Sequence, residues 1–139
     1  MEAMGLSADF WRGKRVLVTG HTGFKGSWLT LWLQSLGAQV SGFSLDPSTE
    51  PSLFELARVH EGINDQRGDL RDLGALLEII AETEPEIVLH LAAQPLVREG
   101  YRHPLGTYSS NVMGTLNLLE AIRQVGGVPA CVLVTSDKD

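Results

Sequence analysis

The chain has 139 residues, 43% of them apolar and 20% charged, with a formal net charge of −6. That length and composition suit one globular domain with a real core, and an acidic balance without any Lys/Arg cluster argues against nucleic acid as a partner. The single cysteine, Cys131, excludes an internal disulfide and reads, inside ACVLV, as a small buried apolar residue. The opening MEAMGLSADF carries no basic region followed by an apolar stretch, and no apolar run approaches the ~20 residues of a membrane span. A cytoplasmic setting is the expectation.

The first element is RVLVT, residues 15–19, a short apolar, β-branched run ended by glycine, which predicts a buried strand. Residues 27–36 carry Trp28, Leu29, Trp32, Leu33 and Leu36 at helical spacing, and Gly37 closes the helix. Trp28 and Trp32 are expected in the core. Residues 39–45 (QVSGFSL) predict a second strand, closed by Asp46 and Pro47. In the longer polar connection that follows, Leu53, Phe54, Leu56 and Ala57 suggest one short helix. Residues 63–68 form a weak polar strand. Asp72 caps the next helix, with Leu73, Leu76, Leu77 and Ile80 on one face, and Pro85 stops it. Residues 86–91 (EIVLHL) are a strand, and AAQPLVREGYRHP a loop. Residues 105–125 make a long helix with Tyr108, Val112, Leu116, Leu119 and Ile122 along one side, and residues 129–135 a last buried strand. Apolar strands alternating with amphipathic helices predict an α/β fold: a doubly wound parallel sheet, covered on both faces, with right-handed crossovers.

In such a sheet, ligands bind beyond the carboxyl ends of the strands near the switch point. Gly20, Gly23 and Gly26 lie there, between the first strand and the first helix. Gly20 permits the tight turn, Gly23 lets backbone approach a pyrophosphate, and Gly26 lets the helix pack close to the strand. The N–H groups that open the helix then face the anion. The spacing is G-x-x-G-x-x-G rather than the common G-x-G-x-x-G, and Lys25-Gly26 does not complete a P-loop. A structural glycine-rich turn is the plainer reading of the same triplet. Lys25 either approaches phosphate or is solvated. His21 reads as a loop histidine, and the four histidines show no metal-ligand spacing.

An acid about 20 residues beyond the glycines binds the adenosine ribose in dinucleotide sites. Asp46 stands there, and no arginine follows it nearby, which favours NAD over NADP. Asp before Pro is also a common turn residue. Asp69, in RGDLRD, follows the third strand and either accepts a bond from the adenine amino group or serves as a loop carboxylate.

VTGHTGFKGSWL, GDLRD, HLAAQPLV, NVMGT and VTSDK occur here in the order of the extended short-chain dehydrogenase/reductase family, the NAD-dependent epimerases and dehydratases. HTGFKGSWL, STEPSLFELA and LAAQPLVR resemble, within it, the sugar-nucleotide 4,6-dehydratases of the CDP-glucose branch. The resemblance spans residues 10–138. It implies a Rossmann fold, a tightly held NAD, a nucleotide-sugar substrate, and a cytoplasmic lyase of deoxysugar and lipopolysaccharide O-antigen synthesis. The reaction it implies removes hydride from C4, eliminates water across C5 and C6, and returns hydride to C6. By matching position, Gly20, Thr22, Gly23, Phe24 and Gly26 form the pyrophosphate loop. Asp46 is the ribose position, Asp69 and Leu70 the adenine position, and Leu91, Ala92 and Ala93 line the cofactor. Gln94 faces the sugar. Asn111 lies near the active-site loops, or is a satisfied polar residue of its helix beside Thr115. Ser136 matches the hydroxyl that bonds the C4 oxygen, and Asp137 the acid that protonates the leaving C6 hydroxyl. Lys138 replaces the glutamate base of the related dTDP-glucose enzymes, which is the pattern of the CDP-glucose branch. No metal is implied.

This chemistry also needs a Tyr-x-x-x-Lys pair, and the chain has none: Leu105 follows Tyr101 by four residues, and Val112 follows Tyr108. The expectation is therefore an NAD-binding domain over residues 1–139 that is the N-terminal part of a longer enzyme. Alone it should bind NAD weakly and turn over no substrate. A sugar-nucleotide epimerase or reductase, and a non-catalytic NAD-binding module, are the competing readings. The long helix 105–125 suits either its own sheet or its copy in a homodimer.

Overall fold

The computed structural model describes residues 8–46, 52–91 and 104–134, with backbone only for 8, 104–112, 133 and 134. A short helix α1 (Ala8–Trp11) leads into β1 (Arg15–Thr19), α2 (Phe24–Ser35) and β2 (Gln39–Ser44). Then come α3 (Leu53–Leu56), a 3-10 turn (Val59–Gly62) and β3 (Asn64–Arg67). The order closes with α4 (Leu73–Thr83), β4 (Ile87–Leu91), α5 (Pro104–Val125) and β5 (Ala130–Val134). The five strands form one sheet in the order β3-β2-β1-β4-β5, and every pairing is parallel. The order reverses between β1 and β4, so the switch point lies where β1 and β4 end. This is the doubly wound α/β fold expected from the alternation of strands and helices.

The alternation of β1 decides which residues meet which helix. Val16 and Val18 point to one face, where Leu33, Val40, Leu89 and Trp11 complete a buried cluster. Leu17 points to the other, against Leu76, Ile79, Ile80, Val88, Leu118 and Ala121 of the α4–α5 layer. Cys131 packs half-buried against that second cluster, and its burial pushes the thiol up. Asp72 caps α4, its carboxylate accepting the Ala75 N–H at 3.1 Å. Gly37 ends α2 at φ 89°, a left-handed position that favours glycine.

Three sequence expectations are corrected. First, α2 begins at Phe24 rather than residue 27, because Gly23 takes the extended N-cap conformation and Gly26 fits inside the first turn. Second, Trp28 is 58% exposed, not core. The buried face of α2 is Gly26, Ser27, Thr30 and Leu33, small residues that bring the helix close to the sheet and turn Trp28 away; Trp32 is partly buried. Third, the buried line of α5 is Gly114, Leu118 and Ala121, while Leu116 and Leu119 are 55% and 41% exposed. Of the apolar stripe read from the sequence, Ile122 packs against the core, while Leu116 and Leu119 face solvent. In α3, Phe54 alone is buried, and Leu56 is exposed.

Candidate functional site

The switch point is built by the turn between β1 and α2. Gly20 sits at φ 84°, and a Cβ there would lie 2.8 Å from the Leu91 carbonyl oxygen at the end of β4. Gly26 is more constrained: a Cβ would fall 2.0 Å from the Gly20 carbonyl oxygen and 2.8 Å from His21 Cα. At Gly23 the nearest atom to a Cβ is 3.7 Å away. Gly20 and Gly26 therefore close the turn on itself, while Gly23 leaves an open approach at the mouth. Gly23 caps α2 without a side-chain bond to the opening N–H groups, which suits an anion there. Ser27 Oγ donates to the His21 carbonyl at 3.0 Å and fixes the turn from within. A tight turn whose open glycine, Gly23, lies at a helix N-terminus fits the pyrophosphate of a dinucleotide.

Thr22 ties this turn to the end of β2. Its hydroxyl donates to the Leu45 carbonyl at 2.8 Å and lies 2.9 Å from Ser44 Oγ. His21 makes a second tie. Its ring is fully buried, edge-on to Phe54, and lies so close over Gly42 that a Cβ there would be 2.4 Å from the imidazole. Nε2 is 2.7 Å from Asp65 Oδ1 on β3. A carboxylate only accepts, so Nε2 carries the proton. Nδ1 finds no partner among the described residues. Burial lowers the imidazole pKa below its ordinary 6.5, against the raising effect of Asp65. The expected loop histidine is thus a buried strut, and the signal was Gly42, a glycine in mid-strand that has no use except a close neighbour.

Asp46 stands just past β2 with its side chain 82% exposed. Arg67, the last residue of β3, donates from Nη1 to Asp46 Oδ1 at 2.5 Å. It also holds Asp65 through Nε at 3.0 Å and Nη2 at 3.1 Å. No arginine follows Asp46 closely in sequence, yet the pairing of Ser44 with Arg67 brings one beside it. Asp69 is gripped by Arg71, through the backbone N–H at 2.9 Å and Nη2 at 2.7 Å, and these bonds hold its carboxyl below the usual range. Leu70 packs against Gly114 of α5, and its carbonyl accepts from Asn117 Nδ2 at 3.0 Å.

Under the turn, His90 joins β1 to α5. Nδ1 is 2.6 Å from Thr19 Oγ1 and Nε2 is 3.0 Å from Thr115 Oγ1. Burial lowers this imidazole pKa too. Gly20, Thr22, Gly23, Phe24, Gly26, Asp46, Asp69, Leu70 and Leu91 gather at the carboxyl end of the sheet, with Phe24 exposed at the mouth. Ala92, Ala93, Gln94, Ser136, Asp137 and Lys138 lie outside the described residues, as does the side chain of Asn111. A cleft of about 540 Å³ opens at the opposite, amino end of the sheet, bordered by Arg15, Gln39 and Glu82. No residue of the turn borders it, and ligands of this fold bind at the carboxyl end. Among the described residues, no three His, Cys, Asp or Glu side chains come together as a metal site. None of their helices is long and apolar enough to cross a membrane.

A parallel doubly wound sheet with a closed glycine turn at its switch point defines a Rossmann-type α/β protein. The sequence profile of the GDP-mannose 4,6 dehydratase family matches residues 17–137, and the chain belongs to that family. It is 57% identical over 133 residues to the CDP-glucose 4,6-dehydratase of Salmonella typhimurium, covering 96% of this chain and 37% of that protein. It is 38% identical to UDP-glucuronate 4-epimerase 1 of Arabidopsis thaliana, over 89% of this chain and 30% of that one. Among solved structures, the UDP-glucose-4-epimerase of Stenotrophomonas maltophila with bound NAD superposes with a TM-score of 0.76. It shares 30% identity, over 88% of this chain and 37% of that one. The epimerase Mth375 of Methanothermobacter thermautotrophicus superposes at 0.77 with 32% identity, over 93% and 37% of the two chains. The chain thus spans between 30% and 37% of the length of these relatives.

Proposed function

We propose that residues 1–139 form the NAD-binding N-terminal domain of a sugar-nucleotide 4,6-dehydratase that converts CDP-glucose to CDP-4-keto-6-deoxyglucose. The 57% identity to a CDP-glucose 4,6-dehydratase over 96% of this chain carries the reading. The turn of Gly20, Gly23 and Gly26 supports it, since it closes tightly at Gly20 and Gly26, where a Cβ would strike backbone, and stays open at Gly23 for a pyrophosphate. Bound NAD supplies a hydride acceptor for C4 and a hydride donor for C6.

In this reading the opening N–H groups of α2 and the exposed backbone at Gly23 hold the pyrophosphate, and Asp46 takes the adenosine ribose. Asp69 and Leu70 border the adenine, and Leu91, Ala92 and Ala93 flank the cofactor. Gln94 faces the sugar, and Asn111 borders the active-site loops. Ser136 holds the C4 oxygen. Asp137 delivers a proton to the departing C6 oxygen, and Lys138 sets the charge beside it. Exposed Leu116 and Leu119 on α5 support a homodimer built on that helix. The enzyme acts in the cytoplasm, in deoxysugar synthesis for O-antigen.

Epimerization is the second reading, favoured by the epimerases among the similar folds. The two separate in one assay. The full-length gene product is incubated with CDP-glucose and with dTDP-glucose, and the alkaline absorbance of a 4-keto-6-deoxy product is followed. Product from CDP-glucose alone is the expected result. Product from dTDP-glucose alone discards the CDP assignment, and no product from either, with NAD bound, favours an epimerase, a reductase or a non-catalytic NAD-binding module.

A further inference from the structure

Dinucleotide sites choose between two solutions at the adenosine ribose. An acid that accepts from the 2′-hydroxyl selects NAD, and an arginine that takes the 2′-phosphate selects NADP. This chain holds both groups in direct contact, Asp46 Oδ1 and Arg67 Nη1 at 2.5 Å. The arginine is the fixed partner. Two of its nitrogens hold Asp65, whose side chain is only 20% exposed and is itself bonded to buried His21. Its guanidinium lies over the fully buried Phe54 ring, 5.0 Å from the centroid. The Gly68 N–H donates to the Ser44 carbonyl at 2.9 Å and ties β3 to the end of β2 just past the arginine.

With Nε and Nη2 engaged by Asp65, only Nη1 projects toward the ribose position, and Asp46 occupies it. Asp46 is mostly exposed, and an exposed aspartate alone would lose rotamer freedom on binding a ligand. The Arg67 bond to Oδ1 removes that freedom beforehand and leaves Oδ2 for a hydroxyl. We infer that Arg67 is the specificity-determining residue of the adenosine-ribose subsite: it orients Asp46 toward the 2′-hydroxyl of NAD and becomes a 2′-phosphate clamp once the Asp46 charge is removed. The inference builds on the cofactor reading under Proposed function. The local charge supports it. Asp46, Asp65 and Arg67 sum to −1 with neutral His21, which repels a phosphate, and Asp46→Asn brings the sum to zero and leaves a neutral amide against Nη1, a weaker competitor than phosphate.

The test is calorimetric titration of NAD⁺ and NADP⁺ into the cofactor-stripped, full-length gene product, as wild type, Asp46→Asn, Arg67→Gln and the double variant. Circular dichroism verifies folding, and Asp46→Ser replaces Asp46→Asn if the latter does not fold. A charged hydrogen bond changes affinity by roughly tenfold or more. Asp46→Asn should therefore weaken NAD⁺ about tenfold and tighten NADP⁺ about tenfold. Arg67→Gln should weaken NAD⁺ by at least about threefold. The double variant should lose the NADP⁺ gain, a result that damage to the fold cannot imitate in Asp46→Asn. No NADP⁺ gain in Asp46→Asn, a gain that survives in the double variant, or unchanged NAD⁺ binding in Arg67→Gln overturns the inference while the cofactor reading stands. A wild type that binds neither dinucleotide overturns both.

Discussion

Gly23 and Gly26 lie three residues apart and are glycine for different reasons. At Gly26 a methyl group would strike a backbone carbonyl that belongs to the turn itself, so no flexible side chain can give way. Gly26→Ala should lower stability by about 1–3 kcal/mol, the range of overpacked sites, and should lose NAD with it. At Gly23 the backbone is extended and a methyl group makes only an ordinary contact, 3.7 Å from the Gly20 carbonyl oxygen. Gly23→Ala should keep its unfolding free energy, measured in urea, to within about 1 kcal/mol, the cost of alanine at an N-cap, yet lose NAD affinity, because the methyl fills the approach to the turn. Equal losses of stability in the two variants would mean that the turn is a purely structural loop. The triplet's importance was legible in the sequence; its division of labour was not, since it depends on where α2 begins. His21 was illegible for a related reason: nothing in GHTG says that its ring passes under β2 toward Asp65.

Helix α5 shows how far a periodic pattern carries. Val112, Leu116 and Leu119 share one side, and the sequence cannot say whether that side meets the sheet or a second copy. The structure puts Gly114, Leu118 and Ala121 against the sheet core, leaving Leu116 and Leu119 in solvent. Gly114 marks the close approach: its Cβ would lie 3.0 Å from Leu70 Cβ. A helix that is apolar on a second face calls for a second partner. Leu116→Glu combined with Leu119→Glu should leave the far-ultraviolet spectrum of the full-length gene product unchanged and convert a dimer to a monomer in light scattering. A dimer that survives both charges places the interface elsewhere. The strands were the most legible elements, because short apolar runs ended by glycine, proline or aspartate leave few alternatives. Helix starts were less so, since a glycine N-cap gives no side-chain signal.

At the scale of the whole molecule, the doubly wound parallel architecture followed from alternation and crossover handedness, whereas the strand order and the Asp46–Arg67 contact required the structure, the latter through the register of β2 on β3. The same architecture places two buried imidazoles beside the switch point, His21 between the turn and β3, and His90 between β1 and α5. Burial lowers both pKa values from 6.5. The folded state therefore binds these protons less readily than the unfolded state. Their contribution to stability is complete above pH 6.5 and is lost as the pH falls toward the folded values, at no more than about 1.4 kcal/mol per pH unit for each imidazole. The carboxylates act in a lower window, because Asp65 and Asp69 are depressed from 3.8 and lose their contribution only below that range. The two histidines differ in how they meet a proton. His21 has Asp65 to share the charge, while His90 has, among the described residues, only the hydroxyls of Thr19 and Thr115. His90 should therefore dominate the acid sensitivity between pH 6.5 and 5. Urea midpoints measured across that interval should fall for the wild type, and His90→Gln, whatever its absolute stability, should show a flatter slope. An unchanged slope in His90→Gln would assign the acid sensitivity to His21.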